Sequence, residues 1–149
     1  MMQKVTEVRL TLAAYIYAIE MDLRYLIQKH IIPLHQDLSF LRTPDLKEKV
    51  RKRFQTENYG LDINNNLDEA INFIDFQDSY TILFQNSDFI PVEIIRELKG
   101  LTTKLNEIAP IRNRVMHSRP LLAGDFSRDC KWNCVKVKKI INLALTQQV

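Results

Sequence analysis

Arg112-Asn113-Arg114-Val115-Met116-His117 puts a guanidinium, an amide and an imidazole within six consecutive residues. An imidazole titrates near neutral pH and can take or give a proton. A guanidinium offers a planar fork of donors that matches a phosphate, a task that lysine performs poorly. Together these groups hold a phosphodiester and move a proton beside it, which is half of an RNA-cleaving site. On a helix turning about 100° per residue, Arg112 and His117 stand roughly 140° apart and Asn113 lies about 40° from His117. Measured from Val115, His117 and Asn113 point about 160° away to either side, opposite the apolar stripe, whereas Arg112 sits at its edge, about 60° off. Arg112 therefore has two readings. It reaches out along the surface to a phosphate, or it pairs structurally with a carboxylate of the first helix, for which Glu20 and Asp22 are the candidates.

The segments that must position this ridge read as helix. From Val5 to Ile31, the apolar residues Val8, Leu12, Tyr15, Ile19, Leu23 and Leu26 recur every three or four positions, one buried stripe that Pro33 ends. Thr43-Pro44-Asp45 is an N-cap followed by proline at the first helical position, opening a short basic helix that stops before Gly60. Asn64-Asn65-Asn66 marks a turn and cap, and Leu67 to Gln85 is read as helical again. Pro91 starts a helix or helix pair running from Val92 to Ser118, with Gly100 and Pro110 inside it and a core stripe of Leu101, Leu105, Ile108, Ile111 and Val115. Proline at 110 predicts a kink, and Arg119-Pro120 closes the segment. A loop then leads to a last helix from about Ser127 to Gln147. The expected architecture is one all-α domain over residues 1–149, an antiparallel bundle of four to six helices.

Composition narrows the class. The chain has 149 residues, 46% hydrophobic and 26% charged, enough for one domain with a real core. Three glycines and five prolines leave little room for loops. A net charge of +3 suits an anionic partner without demonstrating one. The start, Met1 to Glu7, carries no secretory signal, and the apolar stretch Leu10 to Ile19 is too short to span a bilayer, so a cytoplasmic location and no membrane partner are expected. Cys130 and Cys134 lack the further ligands of a closed zinc site, so no metal and no cofactor are expected. No glycine-rich phosphate loop is present.

At the ridge the sequence resembles the HEPN superfamily (higher eukaryotes and prokaryotes nucleotide-binding), helical bundles whose signature is arginine, a polar residue, a few further positions and histidine. Arg112, Asn113 and His117 match that pattern, with an apolar approach from Leu105 to Ile111 and a short exit, Ser118-Arg119-Pro120-Leu121. Ile19-Glu20-Met21-Asp22-Leu23-Arg24 resembles the family's early acidic-hydrophobic-arginine segment. The helical layout agrees over most of the chain; the specific match covers the ridge and that weaker segment.

The resemblance implies a metal-independent endoribonuclease that works as a homodimer, two motif helices facing each other across a cleft. In it His117 is general acid or base, Arg112 holds the phosphate, and Asn113 orients one or the other. The 2′-hydroxyl attacks phosphorus and leaves a 2′,3′-cyclic phosphate. It further implies a defence or toxin–antitoxin setting, with an antitoxin or regulatory partner protein. Arg114 and Arg119 are candidates for RNA backbone contacts, as are Lys47 and Arg51 in the basic run Lys47, Lys49, Arg51, Lys52 and Arg53, and Lys136, Lys138 and Lys139. The competing reading of such runs is a solvated helix face. The competing function is a non-catalytic module of the same fold that binds RNA, nucleotide or protein. His30 and His35 are read as surface or capping residues, and Trp132, Phe73, Phe76, Tyr80 and Phe84 as core or dimer interface.

Overall fold

The computed structural model describes residues 2–116, 134–139 and 141–142. Among them every regular element is helical: α1 (Met2–His30), α2 (Pro44–Glu57), α3 (Leu67–Ala70), α4 (Phe76–Gln85), α5 (Val92–Gly100) and α6 (Thr102–Met116), joined by short 3₁₀ turns, with helical residues again at 134–139 and 141–142. The all-α expectation holds. No helix among the described residues is long and apolar enough to cross a membrane. The chain divides into two compact units: residues 1–22 with 96–149, and residues 23–95, the divisions falling inside α1 and α5.

In the first unit, α1 buries Leu12, Ile16 and Ile19, while α5 and α6 bury Leu98, Leu101, Leu105, Ile108, Ala109 and Val115. Cys134, Val137 and Ile141 complete this core. Full burial of each aliphatic side chain contributes roughly 1.5–3 kcal/mol, which is what holds these helices in a chain with few local constraints. The sequence reading placed Tyr15 in the stripe and left out Ile16; the structure reverses them, with Ile16 fully buried and Tyr15 half-buried. The long α5–α6 segment is a helix pair: α5 ends at Gly100, and the Leu101 carbonyl accepts from the Leu105 N–H at 2.9 Å to open α6.

The second unit packs the remainder of α1, with Leu23, Leu26 and Ile27 buried, around the residues up to Ile95. Lys29 and His30 in the last turn of α1 suit the negative end of the helix dipole. His35 Nδ1 lies 2.7 Å from the Ile31 carbonyl, a capping role, and its ring packs edge-on between Phe40 and Phe89. His30 departs from the surface expectation, because its Nε2 is buried with no hydrogen-bond partner. Thr43 caps α2 as expected, accepting from the Leu46 N–H, and Gly60 beyond the helix takes φ +82°, a left-handed conformation that glycine adopts without strain.

The expected helix from Leu67 to Gln85 is broken. After α3 a 3₁₀ turn covers Ile71–Phe73, and Asp75 starts α4 through a capping box with Asp78, whose Oδ2 accepts from the Asp75 N–H at 3.0 Å. The aromatics on this stretch are largely core: Phe76 and Tyr80 are buried, with Phe76, Tyr80 and Phe84 in successive edge-to-face contact. At the other end of α4, Asn86 is buried and fully engaged. Its Nδ2 donates to the carbonyls of Phe40 and Ile82, at 3.0 and 2.8 Å, and its Oδ1 accepts from Arg42.

Candidate functional site

α6 brings the ridge to the surface of the first unit because Leu105, Ile108, Ala109 and Val115 anchor its opposite side. Arg112 is held rather than loose. Its Nε donates to Glu20 Oε1 at 2.6 Å, and the two side chains are 15% and 5% exposed. The distance is short even for a charge-assisted bond. Of the two carboxylates proposed on the first helix, Glu20 is therefore the one that meets Arg112. Asp22 instead pairs with Lys138, which also donates to Asn142 Oδ1 at 2.8 Å.

This pairing fixes the guanidinium while using one of its five N–H donors on Glu20. Nη1 reaches toward Asn113 Oδ1 at 3.5 Å, the outer limit of a hydrogen bond, and Asn113 is itself exposed. The next two residues have a different tie. Arg9 Nη1 donates to the carbonyls of Arg114 and Val115, at 3.2 and 3.1 Å. A cation on the last carbonyls of a helix satisfies acceptors that have no partner within it and complements the dipole. Arg114, half-buried, sits at that tied end. His117 and Arg119, with Cys130 and Trp132, lie outside the described residues.

α2, in the second unit, sorts its basic run into two classes. Lys49 donates to Asp75 and Asp78 at 2.9 and 2.6 Å, and Arg53 donates to Asp75 and to the Phe73 carbonyl. Burial alone would lower the Lys49 pKa, but the bonds to Asp78 and Asp75 outweigh it and hold it raised. Burial would likewise raise Asp75, and Arg53 and Lys49 more than reverse that, so its pKa is lowered. Lys49 and Arg53 thus brace the α4 cap. Lys47 and Arg51 stand on the other flank of the helix, Lys47 half-buried and Arg51 exposed. Lys52 pairs with Glu48 one turn away, an exposed pair of small energetic weight. Of the later lysines, Lys136 and Lys139 are exposed and Lys138 is committed to Asp22.

The described residues thus bring Arg112, Asn113 and Glu20 together, and place Lys47 and Arg51 in the other unit. Sequence reasoning missed Arg9 and Lys138, whose partners lie 105 or more residues away in the chain, and no local pattern announces such pairs. Among the described residues, no three histidine, cysteine or acidic side chains group to hold a metal ion, and Cys134 is a buried free thiol. No protein-family model, curated protein or solved structure matches this chain.

Proposed function

We propose that the chain is a metal-independent endoribonuclease of the HEPN kind, built on Arg112, Asn113 and His117. The observation that carries this reading is the Glu20–Arg112 pair. A carboxylate 5% exposed grips Nε, which leaves Nη1 and Nη2, the end of the fork that suits a phosphate, beside the exposed Asn113. A guanidinium held in advance loses little freedom when it binds, and it stabilises the charge that builds on the phosphate oxygens during transfer.

The chemistry follows from the groups. An imidazole of His117 takes the proton of an RNA 2′-hydroxyl as that oxygen attacks the neighbouring phosphorus. The bond from phosphorus to the 5′-oxygen breaks, and a second imidazole, from His117 of another copy, protonates the departing oxygen. The products are a 2′,3′-cyclic phosphate and a 5′-hydroxyl. Arg112 bonds the non-bridging oxygens throughout, and Asn113 orients the phosphate or the imidazole. Lys47, Arg51, Arg114 and Arg119 are proposed to contact RNA backbone. We place the enzyme in a cytoplasmic defence or toxin–antitoxin setting with an antitoxin or regulatory partner, since an unrestrained ribonuclease harms its host.

One observation favours a second reading. Arg112 is only 15% exposed, as a side chain tying α6 to α1 would be, and such a tie also serves a non-catalytic module that binds RNA, nucleotide or protein. Cleavage of total RNA and tRNA in EDTA, comparing wild type with His117→Ala, separates the two. The endoribonuclease reading expects wild-type cleavage with 2′,3′-cyclic ends and at least a roughly 100-fold loss in the variant, the usual worth of a general acid–base group. RNA binding without cleavage by either protein would move the assignment to the binding module.

A further inference from the structure

The face of α1 turned away from its core carries a row of exposed apolar side chains that nothing in the catalytic reading uses. Leu10 is 65% exposed, Tyr17 55%, Met21 42% and Tyr25 48%, with exposed Ala14 between the first two. The steps from Leu10 through Ala14 and Tyr17 to Met21 are four, three and four, the spacing of a seam that packs against another helix. All five positions fall within an arc of about 80° at 100° per residue. From Leu10 to Met21 the only charged residue is Glu20, and it is buried against Arg112. A solvated helix face normally carries charge, whereas one that is apolar on all sides is covered.

We propose that this stripe is the surface on which two copies of the chain associate, α1 against α1 about a two-fold axis. Three features select a second copy as the occupant. The stripe has no charge of its own, so two identical faces meet without repulsion, as an isologous contact requires. The half-buried Ala13 and Ala18 beside it, with Ala14 within it, leave room for a second helix to come close between the larger side chains. The area also fits. Taking about 200 Å² or slightly more for a whole large side chain, the four big residues expose roughly 450 Å² per copy, so two copies bury on the order of 1,000 Å². That is the lower bound for a specific interface, which makes this a reversible dimer rather than an obligate one.

The inference deepens the ribonuclease reading, which needs a second imidazole, by naming the surface that recruits the second copy. Met21 adjoins Glu20 in sequence, so the interface begins within one helical turn of the group that holds Arg112. The dimer itself rests on the stripe and stands or falls independently of any cleavage.

The test is sedimentation velocity of the full chain from about 1 to 100 μM, for wild type, for Tyr17→Glu with Leu10→Lys, and for Val92→Glu, a control at another exposed apolar residue (71%). Wild type and the Val92 variant should dimerise across this range, and the stripe variant should raise the dimer Kd by at least roughly 30-fold, as expected when central apolar anchors are lost from both sides. Circular dichroism checks that the stripe variant keeps its helical content. Should it unfold, a photo-crosslinking amino acid at position 17 gives the same information in an otherwise native chain: a crosslinked pair of copies supports the stripe, and its absence overturns it. A wild-type monomer at 100 μM, or a stripe variant that dimerises like wild type, overturns it equally. Loss of cleavage with the dimer intact would count against the ribonuclease reading alone.

Discussion

Replacing Glu20 by alanine tests whether Arg112 is truly braced. The substitution strands a guanidinium that is 15% exposed against the space left by a carboxylate 5% exposed, after removal of a 2.6 Å bond. Two unit charges about 4 Å apart attract by roughly 4 kcal/mol at an effective dielectric of 20, and breaking one side of a buried pair typically costs about 3–5 kcal/mol. Arg112 keeps some water, so we expect the lower end, about 3 kcal/mol. For a chain of this length that lowers Tm by roughly 6–12 °C. Urea denaturation followed by circular dichroism, run on Glu20→Ala, Arg112→Ala and the double variant, reads both the loss and its origin. The double variant should be less destabilised than the sum of the singles by about 2 kcal/mol or more, because neither leaves the other partner stranded. A Glu20→Ala chain within about 0.5 kcal/mol of wild type, or strictly additive singles, would refute the bracing and with it the held fork on which the catalytic assignment depends.

Asn86→Ala should cost about 2–3 kcal/mol, read from the same urea midpoints, because it leaves the carbonyls of Phe40 and Ile82 without their donor in a buried site. His30 gives stability a pH dependence whose sign follows from its environment. Burial first, and the charge of Lys29 second, lower its pKa in the folded chain below 6.5, so the native state favours the neutral ring. Stability is therefore complete above pH 6.5 and declines as the pH falls from there toward the folded pKa, since only the unfolded chain takes up the proton. His30→Gln should flatten that limb in urea midpoints measured across it. A further loss should set in below about pH 3.8, where Asp75, lowered in the fold, becomes protonated.

Much of this fold was legible in local chemistry. Pro33, Thr43-Pro44 and Pro91 each mark a boundary that the structure keeps, because a ring that fixes φ and removes a donor acts whatever surrounds it. The break before α4 was hidden for the opposite reason. Apolar residues keep a helical rhythm through Ile71, Ile74 and Phe76, and only the Asp75–Asp78 capping box, fastened by Lys49 and Arg53, interrupts the backbone. At the candidate site, the sequence narrowed the partner of Arg112 to Glu20 or Asp22, which stand 200° apart around α1 at about 100° per residue. Choosing between them required knowing that Lys138 takes Asp22. That is long-range information, since the two pairs join residues 92 and 116 positions apart.

Those separations bear on when the site comes into being. The unit that holds Arg112 is assembled from two stretches of chain, residues 1–22 and 96–149, whereas residues 23–95 form an uninterrupted block. On a ribosome the block is complete while α6 is still unmade, so its contacts can close first and the early part of α1 must wait for its partners. Until Arg112 arrives, Glu20 faces no guanidinium; until the Arg114 and Val115 carbonyls exist, Arg9 has nothing there to cap. The groups proposed to bind phosphate thus meet only late in synthesis, and a nascent chain carries the parts of the site without the site.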